Sequence, residues 1–156
     1  MIRGAHARGS TVVGAGREAA AILGVAPAEL LAHVARVDDG TTIRYHGAVG
    51  GAARTKALGQ AWALLHLVNF DEPFGLSVIE AMACGTPVIA ARRGAMPELI
   101  DHGVTGFLVD SVEEAVAAVA RIDEIDRAAC RRVVAERFSV DRMANAYIRL
   151  YRTIIG

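Results

Sequence analysis

Lysine is almost missing from this 156-residue chain: Lys56 is its only one, and arginine carries nearly all of the 17 basic charges. Seventeen acidic residues balance them, so the formal net charge is zero. A chain with no basic excess has no electrostatic footprint for nucleic acid, and no nucleic-acid partner is expected. Cysteine is scarce too. Cys84 and Cys130 are too few for a disulfide framework, no C-x-x-C occurs, and both read as reduced thiols. No apolar run approaches the ~20 residues of a membrane span. The longest, around Ala61 to Val68, is interrupted by His66. No signal-peptide pattern opens the chain, so a cytoplasmic location is expected. Abundant alanine beside the arginine bias points to a GC-rich bacterial genome and says nothing of mechanism.

What is present is enough apolar material, 53% of residues, for one domain with a real core. The chain is organised around Asp71 to Ile89, which reads as loop, helix, loop, strand. Pro73 and Gly75 break what precedes them. Leu76, Ile79 and Ala83 recur at the spacing of one helix face. Ser77 and Glu80 have the S-x-x-E spacing of a capping box. Gly85 and Pro87 end the helix, and Val88 to Ala91 is a short buried-strand run. The N–H groups around Gly75 to Ser77 then open a helix start, where unpaired amides and the positive dipole end favour an anion. Glu72 and Glu80 flank it with acceptor-only carboxylates, which suit sugar or ribose hydroxyls. Anion donors beside hydroxyl acceptors are what a nucleotide sugar needs.

Strands alternate with helices elsewhere. Five are expected, near 11–13, 41–46, 64–68, 87–91 and 105–109. Alternation of this kind implies a parallel sheet with right-handed crossovers, a three-layer α/β Rossmann-like domain. Thr11 to Val13 lead into Gly14-Ala15-Gly16, which reads either as a tight βα turn or as a weak phosphate turn. His66 inside an apolar strand reads as a satisfied core histidine, with no metal-ligand spacing around it. Arg92 and Arg93, after a strand, either reach a phosphate or are solvated. Ser111 with Glu114 forms a second capping box. Ser139 or Asp141 caps a last helix, whose stripe of Met143, Ala146, Tyr147, Leu150 and Tyr151 reads as core packing.

The pair E-x7-E at Glu72 and Glu80 lies within EPFGLSVIEAMACGTPVIA, followed by Gly94-Ala95-Met96-Pro97-Glu98 and by Gly103-Val104-Thr105-Gly106-Phe107-Leu108-Val109. In that order these motifs resemble the retaining glycosyltransferases of family 4, in the donor-binding C-terminal lobe of the GT-B fold. The resemblance is dense from about Gly47 to Val109. It implies transfer of a sugar from a UDP- or GDP-linked donor to an acceptor hydroxyl with retention, needing no cofactor and no bound metal. It assigns Glu72, as the catalytic-site carboxylate, to the donor sugar hydroxyls and Glu80 to the ribose hydroxyls. It sets the amides of Phe74, Gly75, Leu76 and Ser77 at the sugar and distal phosphate. It places the turn at Gly14 and Gly16 toward the donor cleft, and the loop holding Val49 against the base. Neither glutamate is thereby a general base; the leaving phosphate itself assists deprotonation in such front-face reactions.

Residues 1–156 are expected to form a single domain of this type, with the N-terminal acceptor lobe and the lobe's first strand absent. No G-R-x-x-x-x-K-G pattern precedes Thr11 to supply the family's diphosphate clamp. The acceptor is unknown, and the missing lobe, or a partner chain, would have to supply its site. The chain alone is expected to bind nucleotide weakly and to transfer sugar poorly or not at all. The alternative is a truncated, catalytically incomplete nucleotide-binding or interaction module working with a partner chain. A phosphorylase would need a pyridoxal-phosphate lysine that Lys56 does not suit, and an epimerase would lack the E-P-F-G-L…E-A-M-A-C-G-T-P-V run.

Overall fold

The computed structural model describes His46 and residues 49–156. The Gly14–Gly16 turn and the expected strands at 11–13 and 41–46 fall outside the described residues, His46 apart. The chain divides into two compact units, Met1–Ala57 and Leu58–Gly156, with the boundary inside the first described helix, α1 (Gly51–Gln60). In the first unit the described residues are a short loop and the start of α1. All other elements below belong to the second.

Among the described residues three strands, β1 (Leu64–His66), β2 (Val88–Ala91) and β3 (Gly106–Val109), form a parallel sheet in the order β1-β2-β3. Leu64 lies opposite Val88, and Val88 opposite Gly106. Parallel neighbours need crossovers. The helix α2 (Leu76–Ala83) makes the first, and the one-turn helix α3 (Met96–Leu99) lies in the second. β2 is buried along Val88, Ile89 and Ala90, and all of β3 is buried, the apolar-run pattern of strands covered on both faces. α2 packs on β1, β2 and α5 (Arg127–Arg137), while α4 (Val112–Ala120) packs on β2 and β3. The result is the expected α/β architecture with helices on a parallel sheet.

The helix caps follow local chemistry. Ser111 Oγ accepts from the Glu114 N–H at 3.2 Å, and the Glu114 carboxylate accepts from the Asp110 N–H at 2.8 Å. Asp126 caps α5 by accepting from the Ala128 N–H. Ser139, rather than Asp141, caps the last helix, α6 (Val140–Ile155). A polar strap closes the unit at α1. The Arg127 guanidinium donates to the carbonyls of Gly59 and Ala61, both at 2.9 Å, and to buried Thr86 Oγ1 at 3.0 Å.

Two expectations about helix faces are corrected. α2 buries Val78, Ala81 and Met82, whereas Leu76 is 66% exposed and Ala83 is also exposed. The buried face starts one residue earlier than the Leu76–Ile79–Ala83 stripe, because apolar residues surround this helix and spacing alone does not choose among them. The α6 stripe is not core packing: Met143, Tyr147, Leu150 and Tyr151 are 53 to 56% exposed, and no residue of α6 is buried. Its pattern states that one face is apolar, and among the described residues no element lies against that face.

Candidate functional site

The site is built at the C-terminal end of β1 and the start of α2, where open α/β sheets take ligands. The helix begins at Gly75, which occupies the left-handed region at φ 85° and is buried. The backbone therefore calls for glycine, and a Cβ there, 2.7 Å from Met96 Cε and 3.0 Å from Leu99 Cδ1, would require those side-chain ends to move. Val78 and Ile79 donate to the Gly75 carbonyl and open the helical ladder.

Ser77 is therefore already inside the helix, and the capping box expected between Ser77 and Glu80 does not form. Glu72 takes over the role. Its Oε1 accepts from the Gly75 N–H at 3.2 Å and lies 3.5 Å from the Phe74 nitrogen. A carboxylate one turn before a helix start is favourably placed against the dipole. The four amides assigned to the donor thus separate into two pairs. Those of Phe74 and Gly75 face Glu72, whereas those of Leu76 and Ser77 have no acceptor among the described residues. Glu80 lies half-buried one turn into α2. Val49, half-buried in the loop before α1, belongs to the other unit. Gly14 and Gly16 lie outside the described residues.

His66, the last residue of β1, departs from its expected satisfied state. Its Nε2 is buried and has no hydrogen-bond partner among the described residues. Burial pushes its pKa below the ordinary 6.5, and the Glu72 carboxylate nearby pulls it partly back. Arg92 and Arg93 are each paired. Arg92 Nε donates to Asp110 Oδ2 at 3.2 Å while its Nη2 donates to the Leu108 carbonyl at 3.1 Å, and Arg93 Nε meets Asp71 Oδ1 at 3.1 Å. Sequence reasoning offered Arg93 a phosphate or solvent and gave Asp71 no site role, and the ion pair that joins the two crosses 22 positions. A cleft of about 440 Å³ opens beside Phe74, walled by Pro73, Pro97, Glu98 and Phe138.

A family model described as glycosyl transferases group 1 matches residues 20–134, well over half of the chain. The chain belongs to this family. Among group 1 relatives, a D-inositol 3-phosphate glycosyltransferase of Mycobacterium leprae is 39% identical over 108 residues, covering 62% of this chain and 25% of that protein. A probable sucrose-phosphate synthase of Thermosipho melanesiensis is 39% identical over 88 residues, covering 54% of this chain and 21% of that protein. The chain thus spans a quarter or less of the length of these curated relatives. Among solved structures, HepE of Anabaena in complex with UDP and glucose superposes with a TM-score of 0.70 at 22% identity, over 93% of this chain and 40% of that one. That likeness shows the fold, a Rossmann-like lobe of the GT-B type.

Proposed function

We propose that this chain is the donor-binding lobe of a retaining, family 4 glycosyltransferase, holding a UDP- or GDP-linked sugar for transfer to an acceptor hydroxyl. The observation that carries the proposal is the start of α2. A buried left-handed glycine, a carboxylate bonded to the preceding amides and two further outward amides meet at the carboxyl end of a parallel sheet. In this reading Glu72 meets the sugar hydroxyls through the oxygen not bonded to Gly75, and Glu80 meets the ribose. The amides of Leu76 and Ser77 stabilise charge gathering on the leaving diphosphate, while those of Phe74 and Gly75 hold the Glu72 carboxylate at the sugar. The resemblance further assigns Val49, and the turn at Gly14 and Gly16, to the donor. The names of the curated relatives and the UDP and glucose held by HepE support a nucleotide-sugar donor.

A single donor lobe leaves the acceptor to a further segment or a partner chain, so this chain alone should transfer sugar poorly or not at all. The test is calorimetric titration of the chain with UDP, GDP and ADP beside Glu80→Ala. Selective binding of one diphosphate is expected, at a Kd of about a millimolar, roughly −4 kcal/mol, and weakened by the substitution. Binding of none would overturn the reading. The second reading, an interaction module, is favoured by the apolar face of α6, which no element among the described residues covers. A single larger species in light scattering, lost when Tyr147 and Leu150 become lysine, would support it.

A further inference from the structure

We infer that the loop Arg93–Gly94–Ala95 is a positioning clamp for Glu72, an inference that rests on the reading of Glu72 as a donor-sugar contact. Three separate contacts from this loop converge on two residues. The Ala95 N–H donates to the Glu72 carbonyl at 2.8 Å. The Arg93 guanidinium pairs with the carboxylate of Asp71 at 3.1 Å. Between them Gly94, at φ 53°, lies against the Glu72 backbone so closely that a Cβ would stand 2.6 Å from both its N and its O. A backbone atom cannot swing aside as a flexible side chain can, so any larger residue at 94 must push Glu72 away.

The segment just beyond fixes the other end of the same loop. Met96 and Leu99 of α3 close on Gly75, whose N–H is the one bonded to Glu72 Oε1. The carboxylate is therefore held at its backbone by residues 93–95 and at its oxygen by an amide that α3 keeps in place. Precise placement of a sugar-contacting carboxylate is worth far more to binding and reaction than to folding. The Arg93–Asp71 pair fits that division. Its side chains are 41% and 74% exposed, and an ion pair so open to water adds little to stability. Its role is to hold Asp71, and through it the approach to Glu72.

The test uses the full chain and the variants Arg93→Gln, Arg93→Lys and Gly94→Ala, with two readouts. In amide NMR spectra, the Gly75 signal should move in Gly94→Ala and in Arg93→Gln and return toward its wild-type position in Arg93→Lys, while Ala115 in α4 stays still. In titrations, Gly94→Ala should weaken UDP-glucose by about tenfold and UDP by less than about twofold, because only the sugar meets Glu72. An unmoved Gly75 signal, or equal weakening of both ligands, overturns the clamp. If Gly94→Ala fails to fold, Arg93→Gln decides by the same two readouts. If wild type binds neither UDP nor UDP-glucose, nor GDP and GDP-mannose, the donor reading falls instead, and the Gly75 signal alone still decides the clamp.

Discussion

The loop and helix at 71–85 and the helix α6 both carry apolar surface, yet they stand in opposite situations. The first is held by a strand, a neighbouring helix, two glycine contacts and an ion pair, and Val78, Ala81 and Met82 are fully buried. The second buries nothing, and Tyr147 and Tyr151 stack on each other with ring centroids 6.2 Å apart. An amphipathic stripe therefore says that a face is meant to be covered, and the three-dimensional contacts say whether this unit does the covering. The energetic weight of the Leu58–Gly156 unit lies in its sheet and in α2, α4 and α5.

The same residue type in the two regions gives the sharpest contrast. Met82→Ala should lower unfolding stability by about 2–5 kcal/mol, the range for emptying a full core site. Met143→Ala should stay within about 0.5 kcal/mol, as surface changes do. Equal effects in thermal melts would mean that α6 is covered in solution. Gly75→Ala should come next, at about 1–3 kcal/mol for a left-handed alanine, with Met96 shifting to admit the methyl. Ser111→Ala should cost about 1 kcal/mol, since α4 is packed on the sheet. Ser139→Ala removes an equivalent cap from α6, yet it should fray that helix in circular dichroism without moving the main melting transition.

A smaller effect concerns pH. Burial lowers the folded-state pKa of His66 below its ordinary 6.5, so below pH 6.5 the unfolded chain takes the proton first. Stability should therefore fall as pH drops from 6.5 toward the folded pKa. His66→Phe should flatten that part of the stability profile, and an unchanged slope in melts between pH 5 and 7 would refute the assignment.

Much of this was legible locally. Gly85 and Pro87 end α2 by chain stiffness and left-handed freedom, and Ser111 caps α4, because both act within a few residues. The α2 face was not legible, since Leu76-Ser77-Val78-Ile79 offers apolar residues on several sides. The start of α2 was misread because S-x-x-E matched a local rule, while Gly75 and Glu72 met it one turn earlier. The partners of Arg93 and Arg127 lie far along the chain, as does the close approach of Gly94 to Glu72, and no spacing rule reaches them. At His66 the strand was expected from local pattern, but the missing partner of Nε2 depends on packing.

The order β1-β2-β3 also bears on how the chain reaches this state. Among the described residues each strand pairs with the next one in sequence, across a single connection, and none of these three inserts between two others. Loop-closure entropy is then spent in modest instalments, and the sheet can grow strand by strand as the chain leaves the ribosome. Arg127, whose hydrogen bonds reach back to the carbonyls of Gly59 and Ala61, would be a late tie to form. A substitution there should speed unfolding more than it slows folding.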